Sequence, residues 1–164
     1  MSPKSIRYLA SFLVLVGVGV LAMACGDDEG GGRGPLTRTF YMEAIEPKGS
    51  ASVENEPFPD TALPDGGGYA LKEPNAEGKW EVETYTWNPK QIVVTEGDTV
   101  NLEILGVNGS KHDGSIEEYV PGFVVERGKL TRLSFVADEP GVFKISCATH
   151  LPSMTAELVV LPRG

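Results

Sequence analysis

The chain has 164 residues, with 14 Lys and Arg against 23 Asp and Glu, a formal net charge of −9, 12 Pro, 20 Gly, two Cys and two His. That length suits one ordinary domain, and the Gly and Pro content favours strands joined by turns over a helical bundle. The acidic balance argues against a nucleic-acid surface, and the Cys and His counts exclude four-cysteine zinc or iron–sulfur sites and multi-histidine clusters, leaving room for one small metal site.

Residues 1–24 read as a secretory signal peptide. Lys4 and Arg7 form a basic start, and an apolar run of small and aliphatic residues (LASFLVLVGVGVLAMA) follows before Cys25. The run is somewhat short of the ~20 apolar residues that span a bilayer comfortably. The residues Leu21, Ala22, Met23, Ala24 and Cys25 resemble a bacterial lipobox, although Ala22 stands where Leu is commoner. The resemblance implies a lipid on Cys25. An ordinary cleaved signal ending at Ala24 and an uncleaved anchor helix remain open, and all three readings export the domain to the periplasm or the outer face of a bacterial membrane. Loss of residues 1–24 removes Lys4 and Arg7 and no acid, leaving 12 bases against 23 acids, a net −11. Residues 25–35 (CGDDEGGGRGP) are expected to be a flexible, lipid-anchored linker, and residues 36–164 the folded domain. With Cys25 lipidated, Cys147 is the one free thiol.

Residues 37–45 (TRTFYMEAI) predict a first strand. Residues 47–74, with Pro57, Pro59, Pro64 and Gly66–Gly67–Gly68, predict a long irregular excursion, of the kind that tends to be functional or to cover something. Residues 80–87 (WEVETYTW) alternate apolar and polar, and residues 91–95 (QIVVT) form the next run. After the turn Glu96–Gly97–Asp98, residues 99–105 place Val100, Leu102 and Ile104 on one face. Residues 129–136 turn Leu133 and Phe135 inward, Pro140–Gly141 reverses the chain, residues 142–147 follow, and residues 155–161 close with Ala156, Leu158 and Val160 on one face. Period-two alternation in about seven short segments predicts an all-β domain of antiparallel strands, a sandwich or Greek-key barrel.

The last hairpin carries the chemistry. Phe143, Ile145 and Cys147 share a strand face, so Cys147 points inward at the strand's end. His150 lies three residues on, Met154 four beyond it, and His112 is placed in the loop after the 99–105 strand (GVNGSKHDGS). Two imidazoles, one thiolate and a weak axial thioether are the donor set of a blue-copper electron-transfer site, and a thioether adds little for zinc.

Residues 80–161 resemble the cupredoxins in ligand order: a His, then Cys, His and Met on the final inter-strand loop, here C-x2-H-x3-M. The resemblance implies a cupredoxin-like Greek-key sandwich, His112 and His150 as imidazole ligands, Cys147 as thiolate, Met154 as axial ligand and one copper ion cycling between Cu(I) and Cu(II). The stretches HDGSIEEYVPGF and SFVADEPGVFKISC also resemble the copper domain of cytochrome oxidase subunit II and of nitrous oxide reductase. Those domains use two loop cysteines for a two-copper centre, and this loop has Cys147 alone. Asp113 departs too, standing where many blue-copper proteins have Asn; an ionised Asp accepts hydrogen bonds but does not donate them.

These features imply a one-electron carrier rather than an enzyme, since copper oxidases and nitrite reductases need a further copper site built from several more histidines. Expected partners are a basic redox protein such as a c-type cytochrome, or a terminal oxidase, steered by the negative charge and docking near Leu151 and Pro152. The membrane is reached through the lipid. A copper-binding accessory or subunit II-like component of a respiratory oxidase, and a copper carrier, are the alternatives. A metal-free interaction domain is a third.

Overall fold

The computed structural model describes residues 34–164. The signal peptide, Cys25 and most of the expected linker lie outside the described residues. Two sheets face each other across a shared apolar core. One has the order β10-β7-β1-β5, formed by β1 (Thr37–Ile45), β5 (Thr86–Asn88), β7 (Thr99–Gly106) and β10 (Leu130–Val136). The other has the order β6-β12-β11-β8-β9, formed by β6 (Gln91–Thr95), β8 (Lys111–Ile116), β9 (Val120–Glu126), β11 (Gly141–Cys147) and β12 (Thr155–Leu161).

Alternation decides which side chains fill the gap between the sheets. Met42 and Ala44 of β1, Trp87 of β5, and Val100, Leu102 and Ile104 of β7 come from the first sheet. Ile92 and Val94, Ile116, Ile145 and Cys147, and Ala156, Leu158 and Val160 come from the second. Each large aliphatic side chain so buried contributes ~1.5–3 kcal/mol relative to exposure. At the turn between β6 and β7, Gly97 takes a φ of 82°, a conformation that costs an ordinary L-residue about 1–2 kcal/mol. The buried carboxylate of Asp98 closes the same corner. It accepts hydrogen bonds from the Leu36 and Thr95 N–H groups and pairs with Arg38 and Arg163, joining both ends of the domain.

The all-β expectation holds, with differences that alternation cannot show. The pairing is mixed: β1 runs parallel to β7 and β12 parallel to β6. A period of two is common to parallel and antiparallel strands, so only the connections decide. Residues 80–87 are two strands in different sheets. β4 (Lys79–Thr84) sits between β2 (Lys48–Ser52) and β3 (Tyr69–Lys72) in a small third sheet, whereas β5 belongs to the sandwich. Tyr85 is the residue between them. The excursion 47–74 is thus part strand, through β2 and β3, and irregular between them.

His112 is not in a loop. It lies in β8, whose buried positions are His112, Gly114 and Ile116. The alternation is present there but carried by a histidine and a glycine. Gly114 faces Phe123 of β9 in register, and a Cβ on Gly114 would lie 2.3 Å from the Phe123 ring, so the aromatic ring covers the place a side chain would fill.

Candidate metal centre

Strand register brings the mid-chain histidine to the terminal loop. In the β8–β11 pairing Cys147 is opposite Gly114, and His112 lies two residues earlier on the same face of β8. That places His112 just past the end of β11, where the chain enters a one-turn 3-10 helix, Ala148–His150. The loop then closes on itself. Met154 N–H donates to the His150 carbonyl (2.9 Å), and Cys147 N–H donates to the Met154 carbonyl (3.0 Å). Cys147, His112 and Met154 are fully buried, and His150 is half-buried.

The donor atoms converge. His112 Nδ1 lies 3.3 Å from His150 Nδ1, and Cys147 Sγ lies 3.4 Å from the same nitrogen. One ligand atom from each of the three residues falls within 4.8 Å of the others. Bonds of ~2.0–2.3 Å from imidazole nitrogen and thiolate to a first-row metal put neighbouring donors ~3.3–3.8 Å apart at tetrahedral to trigonal angles. The spacing therefore fits one ion. The side chain of Met154 is buried at the end of the same loop, and its backbone is bonded to both His150 and Cys147.

The tautomer of His112 follows from its outer edge. Nε2 lies 3.0 Å from the Asn108 carbonyl oxygen, which only accepts, so Nε2 carries the proton and the Nδ1 lone pair faces the other donors. Asn108 is itself held in place. Its side chain accepts from the Glu46 N–H (2.7 Å) and donates to the Glu46 carbonyl (2.8 Å). Gly109, at a φ of 82°, lets the Glu46 carboxylate come close to the same imidazole; a Cβ there would lie 2.1 Å from Glu46 Oε1 and 2.9 Å from His112 Nε2.

Electrostatics favour the charged thiolate. Burial pushes the Cys147 thiol up, but the His112 imidazole and the amide N–H groups of Thr149 and His150 outweigh it and hold the thiol below its ordinary value. Burial pulls His112 down, yet Cys147, the Asn108 carbonyl and Glu46 together raise it. His150 is held low by burial and by His112. The Asp113 carboxylate accepts a long 3.5 Å hydrogen bond from the Thr149 hydroxyl, so it braces the loop as an acceptor.

The excursion covers this loop. Gly68 N–H donates to the Leu151 carbonyl (2.9 Å), and the Ser153 hydroxyl donates to the Gly68 carbonyl. A Cβ on Gly66, Gly67 or Gly68 would lie within 2.4, 2.1 and 2.7 Å of Leu151 O, Thr149 O and Ser153 N respectively. Three glycines in a row are what allow backbone to lie on backbone here. The Tyr85 ring stacks on His150, with centroids 3.8 Å apart and planes 3° apart. Glu46, Asn108 and Tyr85 belong to no motif that marks them in the sequence. Only the Gly–Val–Asn–Gly turn signature around Asn108 offered a signal.

Neither protein-family models nor curated protein sequences match the chain. Solved structures do. A copper-containing nitrite reductase from Thermus scotoductus SA-01 is 21% identical with a TM-score of 0.50, over 78% of this chain and 28% of that one. A copper nitrite reductase from Nitrosomonas europaea is 18% identical, also with a TM-score of 0.50, over 77% of this chain and 42% of that one. The fold is the cupredoxin-like β-sandwich. The chain spans less than half the length of either structure, and at these identities the likeness speaks for the fold alone.

Proposed function

We propose that this protein is an exported, lipid-anchored one-electron carrier holding a single copper ion through His112, Cys147, His150 and Met154. The observation that carries the reading is the convergence of Nδ1, Nδ1 and Sγ at the rim of the sandwich, with the His112 lone pair turned toward the other two donors. One ligand atom from each of the three residues at this spacing could hold a single cation. Copper is favoured over zinc because thiolate and imidazole serve both metals, whereas the thioether of Met154 suits copper and adds little for zinc. A bound copper ion supplies the one-electron couple. The chain's own part is to hold the donors in a fixed geometry, which keeps reorganisation small.

His112 is oriented by Asn108, the Cys147 thiol is held below its ordinary value by His112 and two amide N–H groups against the opposing effect of burial, and the loop is closed by Met154. Leu151 is 41% exposed and Pro152 is exposed, beside His150, giving a small apolar contact where a partner would dock. A mature charge of −11 favours a basic partner such as a c-type cytochrome, with a terminal oxidase as the other acceptor class. We propose no turnover chemistry, because the sequence offers no histidine beyond the two at this centre.

Copper(II) titration of the metal-free protein tests this reading. One equivalent is expected to produce an intense thiolate-to-copper band toward the red, which Cys147→Ser abolishes. Met154→Leu keeps the band and shifts the reduction potential. Stoichiometric but colourless copper would instead support a copper carrier, and two coppers per chain would overturn the mononuclear site.

A further inference from the structure

The two imidazoles at the centre are held by different means. His112 is fully buried, and its outer nitrogen is hydrogen-bonded to Asn108. His150 is half-buried, and both hydrogen-bonding contacts of its ring are through Nδ1, toward His112 and Cys147. Its Nε2 has no hydrogen-bond partner among the described residues. Contacts of 3.3 and 3.4 Å hold Nδ1 only weakly, so rotation about the Cβ–Cγ bond still swings it away from the other donors. What opposes the pivot is Tyr85, whose ring lies flat on the imidazole at 3.8 Å and 3°.

Tyr85 is well placed to resist. It is the residue at which the chain passes from β4 in the small sheet to β5 in the sandwich, so its backbone is fixed from both sides. Thr84 N–H donates to the Pro47 carbonyl, and Thr86 is paired with Ile45 of β1. The Tyr85 hydroxyl donates to Glu83 Oε2 (3.4 Å). Lys48 lies 3.3 Å from the other Glu83 oxygen and 3.4 Å from Glu46, the carboxylate beside His112. Tyr85, Glu83, Lys48 and Glu46 thus form one connected chain of contacts that starts from the ring stacked on His150.

We infer that Tyr85 is a positioning residue for His150, fixing by stacking the ring plane that Asn108 fixes for His112 by hydrogen bonding. The inference deepens the copper reading but rests on it only for the metal-binding arm of its test. Removing the aromatic face frees the imidazole; removing only the hydroxyl leaves the stack in place. The small sheet, which takes no part in the core between the two larger sheets, thereby acquires a role in holding the donor set.

The test uses the full chain with Tyr85→Leu and Tyr85→Phe. In the metal-free wild-type protein the His150 ring protons are expected to resonate upfield through the Tyr85 ring current. Tyr85→Phe retains that shift, and Tyr85→Leu loses it while the His112 signals stay put. On copper(II) titration, Tyr85→Leu raises the dissociation constant by about 10-fold or more, the usual cost of removing a group that orients a ligand, and Tyr85→Phe leaves it near wild type. Thermal melts of the metal-free variants separate this from a general loss of fold. Absence of the upfield shift in the wild type overturns the inference, whether or not Tyr85→Leu folds. So does a folded Tyr85→Leu with unchanged His150 shifts and copper affinity. A wild type that shows the shift but binds no copper overturns the copper reading instead.

Discussion

Asn108 links the fold to the centre, so Asn108→Ala should disturb both by amounts the structure sets. The side chain makes two hydrogen bonds to the Glu46 backbone, at 2.7 and 2.8 Å, in a partly buried position. Each is worth ~0.5–1.5 kcal/mol net, so the pair contributes ~1–3 kcal/mol. For a folded part of about 130 residues, an unfolding entropy near 2.1 cal/mol/K per residue turns this into a Tm loss of ~4–11 °C. The backbone carbonyl that accepts from His112 Nε2 survives the substitution but loses its anchor to the end of β1. Copper affinity should fall by ~10-fold, toward the lower end of the range seen when a ligand's outer hydrogen bond is disturbed. Asn108→Asp keeps the acceptor for the Glu46 N–H but sets a second acceptor oxygen against the Glu46 carbonyl, so its Tm should also fall below that of the wild type. Calorimetry of the metal-free proteins and competitive copper titration measure the two effects. An Asn108→Ala protein with wild-type Tm would refute the bonding account. A lowered Tm with unchanged copper affinity would show that His112 does not depend on this loop for its orientation.

Two further outcomes follow from the packing. The Asp98 carboxyl is held well below the usual carboxylate range, first by the Leu36 N–H against the opposing effect of burial, then by Arg38, Thr95 and Arg163. Its folded value lies below the unfolded ~3.9, so its stabilisation is fully present above about pH 4 and is lost as the pH falls toward the folded value. Asp98→Asn should cost ~1.5–3 kcal/mol at neutral pH, the worth of hydrogen bonds to a charged group whose arginine partners are themselves partly exposed, and should flatten the acid limb of a pH-dependent melt; an unchanged limb counts against it. Gly67→Ala places a Cβ 2.1 Å from the Thr149 carbonyl oxygen. Either the glycine run or the ligand loop must then move, at ~1–3 kcal/mol. The expected result is a broadened or shifted red band with copper still bound, and an unaltered band would mean that the excursion does not hold the loop.

Several features were legible in the order of residues. Val100, Leu102 and Ile104, or Ala156, Leu158 and Val160, announce their strands because burying one face of a pleat requires every second residue to be apolar. The nearness of Cys147 and His150 was legible for a related reason: a short loop cannot separate its ends, so side chains within it are already neighbours. β8 and β9 were not legible. In β8 the buried positions are filled by His112 and Gly114, and β9 is apolar without a clean alternation, so neither carries the ordinary strand signal.

What tertiary structure alone decided is everything that depends on which strands become neighbours. The β8–β11 register put His112 beside Cys147 across 35 residues of chain. The crossing from β4 to β5 put Tyr85 on His150, and backbone contact put the glycine run on the ligand loop. Side-chain periodicity states which face of a strand is buried but carries no record of the partner it is buried against. The partner is chosen by pairing and packing summed over the whole domain. Local sequence therefore supplied the donors and their chemistry, and long-range pairing supplied the distances and braces between them.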